Sequence, residues 1–140
     1  VLRILAFDVG EKRIGVAVSD PLGITAQGIE TYHRTDDQEK DVAHLLTLAN
    51  GYKPVKLVFG MPRNMDGSYG MQAEATKAFA QAVLEHWDGE HAFEDERLTT
   101  ASARRVLLEA DMRRDKRKKV IDKLAAVLIL QSYLDAHGNT

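Results

Sequence analysis

Three sets of carboxylates are the residues whose types and positions could do chemistry. The first is Asp8, inside the run Arg3-Ile4-Leu5-Ala6-Phe7-Asp8-Val9-Gly10-Glu11-Lys12-Arg13-Ile14-Gly15-Val16-Ala17-Val18-Ser19-Asp20. That run reads as two short apolar strands joined by a tight turn between Gly10 and Gly15. A charge at the end of a buried strand is costly unless it is paired or bound to a cation. The alternative is a turn aspartate that accepts bonds from the amides around Gly10. The second set is Phe93-Glu94-Asp95-Glu96-Arg97-Leu98-Thr99-Thr100, three consecutive acids at a strand end. Asp95 and Glu96 cannot both face one site while the strand stays regular, because side chains alternate. The alternative has Glu94 solvated, Asp95 paired with Arg97 and Glu96 set against a helix N-terminus. The third is Asp122, ahead of an apolar helical stretch, where it shares a face with Ala125, Ala126 and Ile129. Alone, it reads more readily as an ordinary first-turn acid.

Three carboxylates without a histidine or cysteine cluster suit Mg²⁺ or Mn²⁺, which take hard oxygen ligands. Such a cluster can hold two ions about 4 Å apart, a geometry used in phosphodiester cleavage. The chain has no cysteine, so disulfides, thiolate zinc sites and a cysteine nucleophile are excluded. His33, His44, His86, His91 and His137 are scattered without zinc spacing and read as surface residues.

The formal net charge of −2 over 140 residues conceals an asymmetry. Residues 104–123 carry +5 and the remainder −7. The patch includes Arg113, Arg114, Arg117, Lys118 and Lys119, suited to backbone phosphate, although a charge run can also be a solvated connection. An acidic remainder beside a basic patch is what a metal-dependent nuclease needs. No segment approaches the roughly 18 apolar residues of a membrane span. The length suits one domain, 1–140.

These residues require elements to position them. After the first two strands, Thr25 to Arg34 can form a third, led in by Pro21 and Gly23, though its alternation is imperfect. Asp36 or Asp37 caps a helix to about Asn50, with Val42, Leu45, Leu46 and Ala49 inward and Gly51 stopping it. Val55 to Phe59 is a short apolar strand, followed by a polar loop from Gly60 to Gly70. A helix follows over Met71 to His86, with Ala75, Phe79, Ala82 and Val83 inward. His91 to Glu96 is the last strand. Thr99 or Thr100 caps a helix to about Ala110, and after a basic connection a final helix runs from about Lys119 to Ala136. The order implies an α/β fold with a five-stranded mixed sheet, a three-strand meander and then parallel strands reached by right-handed crossovers. Sites in such sheets gather at the carboxyl ends of parallel strands, where Asp8, the loop after Gly60 and the Asp95-Glu96 pair all fall.

With those motifs in order, the chain resembles the YqgF family, also called RuvX, of the RNase H-like superfamily. The matching residues are Asp8-Val9-Gly10 with Lys12-Arg13-Ile14-Gly15-Val16-Ala17-Val18-Ser19-Asp20, then Gly60-Met61-Pro62-Arg63-Asn64-Met65-Asp66-Gly67-Ser68. They continue with Asp95-Glu96-Arg97-Leu98-Thr99-Thr100 and Asp122-Lys123-Leu124-Ala125-Ala126. Glu11 departs from the family pattern, which has a small or hydroxyl residue there.

The resemblance implies an RNase H-like five-stranded mixed sheet flanked by helices. It implies a bacterial cytoplasmic nuclease linked to 5′-end maturation of the small-subunit ribosomal RNA precursor, with a Holliday-junction resolvase as the alternative. It further implies Asp8, Glu96 and Asp122 as a catalytic set holding Mg²⁺ or Mn²⁺. Lys12 and Arg13 meet phosphate or brace the turn, and the loop with Asn64 and Gly67 borders the groove. Cleavage is expected by in-line attack of water on phosphorus, leaving a 5′-phosphate and a 3′-hydroxyl, with no protein nucleophile. The partner is structured RNA or branched DNA, with no membrane, and the chain is a monomer or weak homodimer. Two readings of other classes stay open: an actin- or sugar-kinase-type ATPase, for which 140 residues leave no second domain, and a non-catalytic RNA-binding assembly factor.

Overall fold

A computed structural model describes residues 3–62, 70–95 and 114–137, with side chains from 123 onward in the last stretch. Continuous apolar runs make the two central hairpin strands, β1 (Ile4–Val9) and β2 (Arg13–Ser19), which pair antiparallel from Leu5↔Val18 to Val9↔Ile14. The turn into β3 (Ala26–His33) is built by Asp20, whose Oδ1 accepts the Ile24 and Thr25 amides at 2.7 and 2.8 Å. Gly23 supplies the left-handed residue there, at φ 71°. The bond from the Thr25 amide, with others from that turn, holds the Asp20 carboxyl below the ordinary aspartate range.

The imperfect alternation of β3 has a physical cause. Its register with β2 shifts between Val16↔Glu30 and Ala17↔Gly28, leaving Ile29 as an extra residue, a β-bulge.

α1 (Gln38–Tyr52) begins at Asp37, whose carboxylate accepts the Glu39 amide. The helix does not stop at Gly51, which lies inside it; it ends at Lys53 in the left-handed conformation, φ 50°. Nothing approaches Gly51 closely, so its small size is neither a stop signal nor a packing need. β4 (Lys56–Met61) joins β1 in parallel, and β5 (Glu90–Asp95) joins β4 in parallel. α2 (Met71–Leu84) lies between them in sequence and buries Ala73, Thr76, Phe79, Ala80 and Val83. Ala75 is exposed and Ala82 half-buried, so the inward stripe is shifted from the expected one.

α3 (Arg114–His137) starts five residues before the expected Lys119. The basic stretch is therefore mostly helix rather than connection, as Lys and Arg are good helix formers and no Gly or Pro interrupts them. The helix expected between Thr99 and Ala110 lies outside the described residues.

The sheet order is β3-β2-β1-β4-β5. One face buries Leu5, Phe7, Val9, Ile14, Val16, Leu57 and Phe59 against α1 and α2. The other buries Ala6, Ala17 and Val58 against Ala126, Ile129, Leu130, Tyr133 and Leu134 of α3. Among the described residues no helix is long and apolar enough to cross a membrane.

Candidate nuclease site

Alternation along β1 decides where Asp8 lies. Leu5, Phe7 and Val9 enter the α1/α2 layer and Ala6 enters the α3 layer, so Asp8 falls on the α3 face. Directly opposite on β2 is Gly15, and continuing the Phe7↔Phe59 pairing by one residue puts Gly60 beside it on β4. Neither neighbour has a side chain. Asp8, only 7 % exposed, thus lies between two glycines at the carboxyl end of the central strand. Carboxylates are the donors that Mg²⁺ or Mn²⁺ prefers.

Gly60 pairs in turn with Glu94 on β5, which shares this face with Ala92. Glu94 is half-buried rather than solvated. Burial pushes its carboxyl above the ordinary glutamate range; His137 opposes the shift and Asp95 adds to it. Asp95 pairs with Met61 and alternates to the opposite face, toward α2. Of the two acids left open in the sequence, Asp95 therefore points away from the side where Asp8 lies. Glu96 lies outside the described residues, as do Asn64, Gly67 and Arg113.

The turn after Asp8 is tightly specified. The Gly10 amide donates to the Arg13 carbonyl at 2.8 Å, and a Cβ on Gly10 would stand 2.8 Å from that same oxygen, so only glycine fits. Lys12 is exposed in the turn, and Arg13, two residues before Gly15 on β2, shares the face of Asp8.

α3 runs antiparallel to β1. The Lys123 stem crosses β3 at Gly28, level with Ala17 and Ala6. Further along the helix, Gln131 bonds the Ala26 amide and the Ile24 carbonyl, nearer the start of β3. The turns before Lys123 therefore extend toward the end of the sheet that holds Asp8. At 1.5 Å per residue, the backbone from Lys123 back to Arg114 spans about 13 Å, past the roughly 7 Å that separate Ala6 from Asp8. Asp122, Arg114, Arg117, Lys118 and Lys119 all belong to this overhang as backbone positions. Among the described residues no group of three acids, histidines or cysteines is near enough to hold a metal ion.

Two charged residues that sequence reasoning missed lie beside the turn. Arg34 donates to the Gly10 carbonyl, and Asp41, fully buried, faces Arg34 from α1. The available signal was that Asp41 sits one turn before Leu45 on the apolar stripe of α1.

The fold defined by this sheet and its helices is that of the RNase H-like α/β proteins. RuvC of Thermus thermophilus, solved in complex with a Holliday junction substrate, superposes with a TM-score of 0.60 at 11 % identity, over 98 % of this chain and 97 % of that one. A second Thermus thermophilus RuvC structure gives 0.58 at 10 % identity, over 99 % and 98 %. Within that class the family is closer at hand. The family model "RuvX: Holliday junction resolvase" matches residues 2–136, and the chain belongs to that family. A relative from Symbiobacterium thermophilum is 53 % identical over 137 residues, covering 98 % of this chain and 94 % of its own. One from Clostridium beijerinckii is 49 % identical over 134 residues, 96 % of each chain. Both carry the name "Putative pre-16S rRNA nuclease".

Proposed function

We propose that this chain is a metal-dependent nuclease of one domain that hydrolyses phosphodiester bonds in structured RNA, at the 5′ end of the small-subunit ribosomal RNA precursor. The observation that carries this reading is the buried Asp8 between Gly15 and Gly60, on the sheet face that the first turns of α3 overhang. A buried acid at that place, under a helix whose first turns are basic in sequence, suits a nuclease better than a passive RNA-binding surface, which has no need of a buried carboxylate. The names of the relatives support the choice of RNA.

Asp8, Glu96 and Asp122 would hold Mg²⁺ or Mn²⁺. Asp95 alternates away from Asp8, which favours Glu96 as the second acid. When bound, the cations lower the pKa of water and neutralise charge on the leaving oxygen. Arg13 and Lys12 at the rim, Asn64 in the loop after β4, and Arg113, Arg114, Arg117, Lys118 and Lys119 would hold the phosphate backbone in register. A bacterial cytoplasmic setting follows from that substrate, and a monomer or weak homodimer would suffice.

The second reading, resolution of four-way DNA junctions, is favoured by the family description and by the RuvC-like fold. A cleavage assay with Mn²⁺ or Mg²⁺ offers a precursor ribosomal RNA end and a four-way junction side by side, with Asp122→Asn as the control for contaminating nuclease. Preferential, Asp122-dependent cutting of the RNA is expected. Symmetric cutting of the junction would replace it with the resolvase reading, and binding without cutting of either would leave an assembly factor on a nuclease fold.

A further inference from the structure

The turn that follows Asp8 is fastened from the opposite side of the sheet. Arg34 reaches it twice: its backbone amide donates to the Lys12 carbonyl at 2.8 Å, and its guanidinium donates to the Gly10 carbonyl at 2.9 Å. The guanidinium lies over the Phe79 ring of α2, 4.6 Å from its centre, and its Nε stands 3.6 Å from Asp41 Oδ2. Asp41 is itself fixed. Its Oδ1 accepts from the Tyr32 hydroxyl at 2.8 Å, the Thr35 amide at 3.0 Å and the Thr35 hydroxyl at 2.9 Å. Burial works against its charge, yet these bonds and Arg34 together hold its carboxyl below the ordinary aspartate range, so it stays ionised.

We infer that Asp41 and Arg34 are positioning residues, a charged clamp that fixes the Gly10–Arg13 turn and so sets where Asp8 and Arg13 present themselves on the other face. Both lie on the α1/α2 side of the sheet, away from the face of Asp8. The Gly10 and Lys12 carbonyls are held by one residue, whose guanidinium stands between a buried carboxylate and an aromatic ring. A guanidinium suits this task because it is planar and donates in several fixed directions, which an ammonium cannot do. A turn free to rock would displace Asp8 by a fraction of an ångström to an ångström, and misplacements of that size cost catalysis up to a hundredfold. The inference rests on the nuclease reading for its catalytic consequence, but not for the clamp itself.

The test therefore reads the turn directly. Amide hydrogen exchange of Gly10 is measured in the full chain and in Arg34→Ala, Arg34→Lys and Asp41→Asn, with cleavage kinetics alongside. Leu46→Ala, half-buried on α1 away from the turn, controls for loss of stability. In Arg34→Ala the Gly10 amide is expected to exchange at least tenfold faster while Phe7 and Val16 keep their protection. Cleavage is expected to lose about tenfold in kcat with KM for nucleic acid within about threefold. Arg34→Lys recovers only part of either quantity, and Leu46→Ala changes neither. Unaltered Gly10 exchange in Arg34→Ala, or a rise no larger than in Leu46→Ala, overturns the clamp even in a protein that cuts. Faster exchange with unchanged kcat overturns its catalytic role. Faster exchange in a protein that cuts nothing upholds the clamp and removes the nuclease reading instead.

Discussion

The two faces of the sheet are built from different side chains. On the α1/α2 face the strands contribute Phe7, Phe59, Leu5, Leu57, Ile14 and Val16, and the Phe7 and Phe59 rings meet at 5.5 Å. On the α3 face the same strands contribute Ala6, Ala17, Val58, Gly15 and Gly60. Large side chains fill one layer and leave no room. Small ones let α3 come close, to where a Cβ on Gly28 would lie 2.6 Å from Lys123 Cγ. One strand thus serves both purposes with alternate residues. The bulkiest strand side chains lie on one side, and the buried carboxylate of the candidate site lies on the other.

That division can be broken or sharpened experimentally. The largest effect is expected from Phe7→Ala. It should cost about 4 kcal/mol in urea or thermal unfolding, because a fully buried ring is removed from a close-packed layer. A cost below about 1 kcal/mol would mean that the sealed face does not carry the stability assigned to it. The adjacent residue should behave oppositely. Asp8→Asn is expected to lower cleavage at least a hundredfold, about 3 kcal/mol of barrier, while nucleic-acid binding stays intact and stability shifts by less than about 1 kcal/mol. Unchanged turnover in that variant would remove the site from this face.

Asp41 gives an intermediate effect with a defined pH sign. Its carboxyl is held below the ordinary value in the folded chain, so the stability it contributes is present above about pH 4 and is lost as pH falls through the folded value. Asp41→Asn should therefore cost about 2 kcal/mol at pH 7 and markedly less at pH 3, read from unfolding curves at both values. A penalty independent of pH would assign the loss to packing instead. The smallest effect is a gain: Lys53→Gly relieves a left-handed residue at the end of α1 and should raise stability by about 0.5–1 kcal/mol, with no effect on cleavage.

Much of the fold was legible because its strands are marked twice, by apolar content and by Gly, Pro or Asp at their ends. Leu5 to Phe7, Val16 to Val18 and Leu57 to Phe59 are of that kind, and the meander followed by crossovers left the mixed sheet as the consistent arrangement. The α3 onset was missed for an electrostatic reason. A run such as Arg113 to Lys119 reads as solvated and loose, yet Lys and Arg are good helix formers, and the backbone is helical from Arg114. Ile29 broke the alternation of the third strand because a bulge leaves no compositional mark. At the site, Asp8 was legible from its apolar flanks, whereas Arg34 and Asp41 were not. Their partners are a backbone carbonyl and a residue across the sheet layer, and neither relation has a spacing in sequence. The facing of Glu94 and Asp95 likewise needed the register with Gly60 and Met61.

The order of the elements along the chain has a consequence for biosynthesis. β1, β2 and β3 are neighbours in sequence, while α3 reaches β3 through the Gln131–Ala26 bond across 105 residues. Short-range pairings close quickly and long-range ones slowly. In pulse-labelled refolding, amides of β1 and β2 are therefore expected to gain protection before those of α3. During synthesis the meander emerges first, and the face left waiting for α3 carries Ala6 and Ala17 rather than phenylalanines, a surface less prone to stray association. On the proposed reading, Asp122 reaches Asp8 only with that last helix, so a nascent chain would be harmless to the nucleic acid around it until α3 has docked.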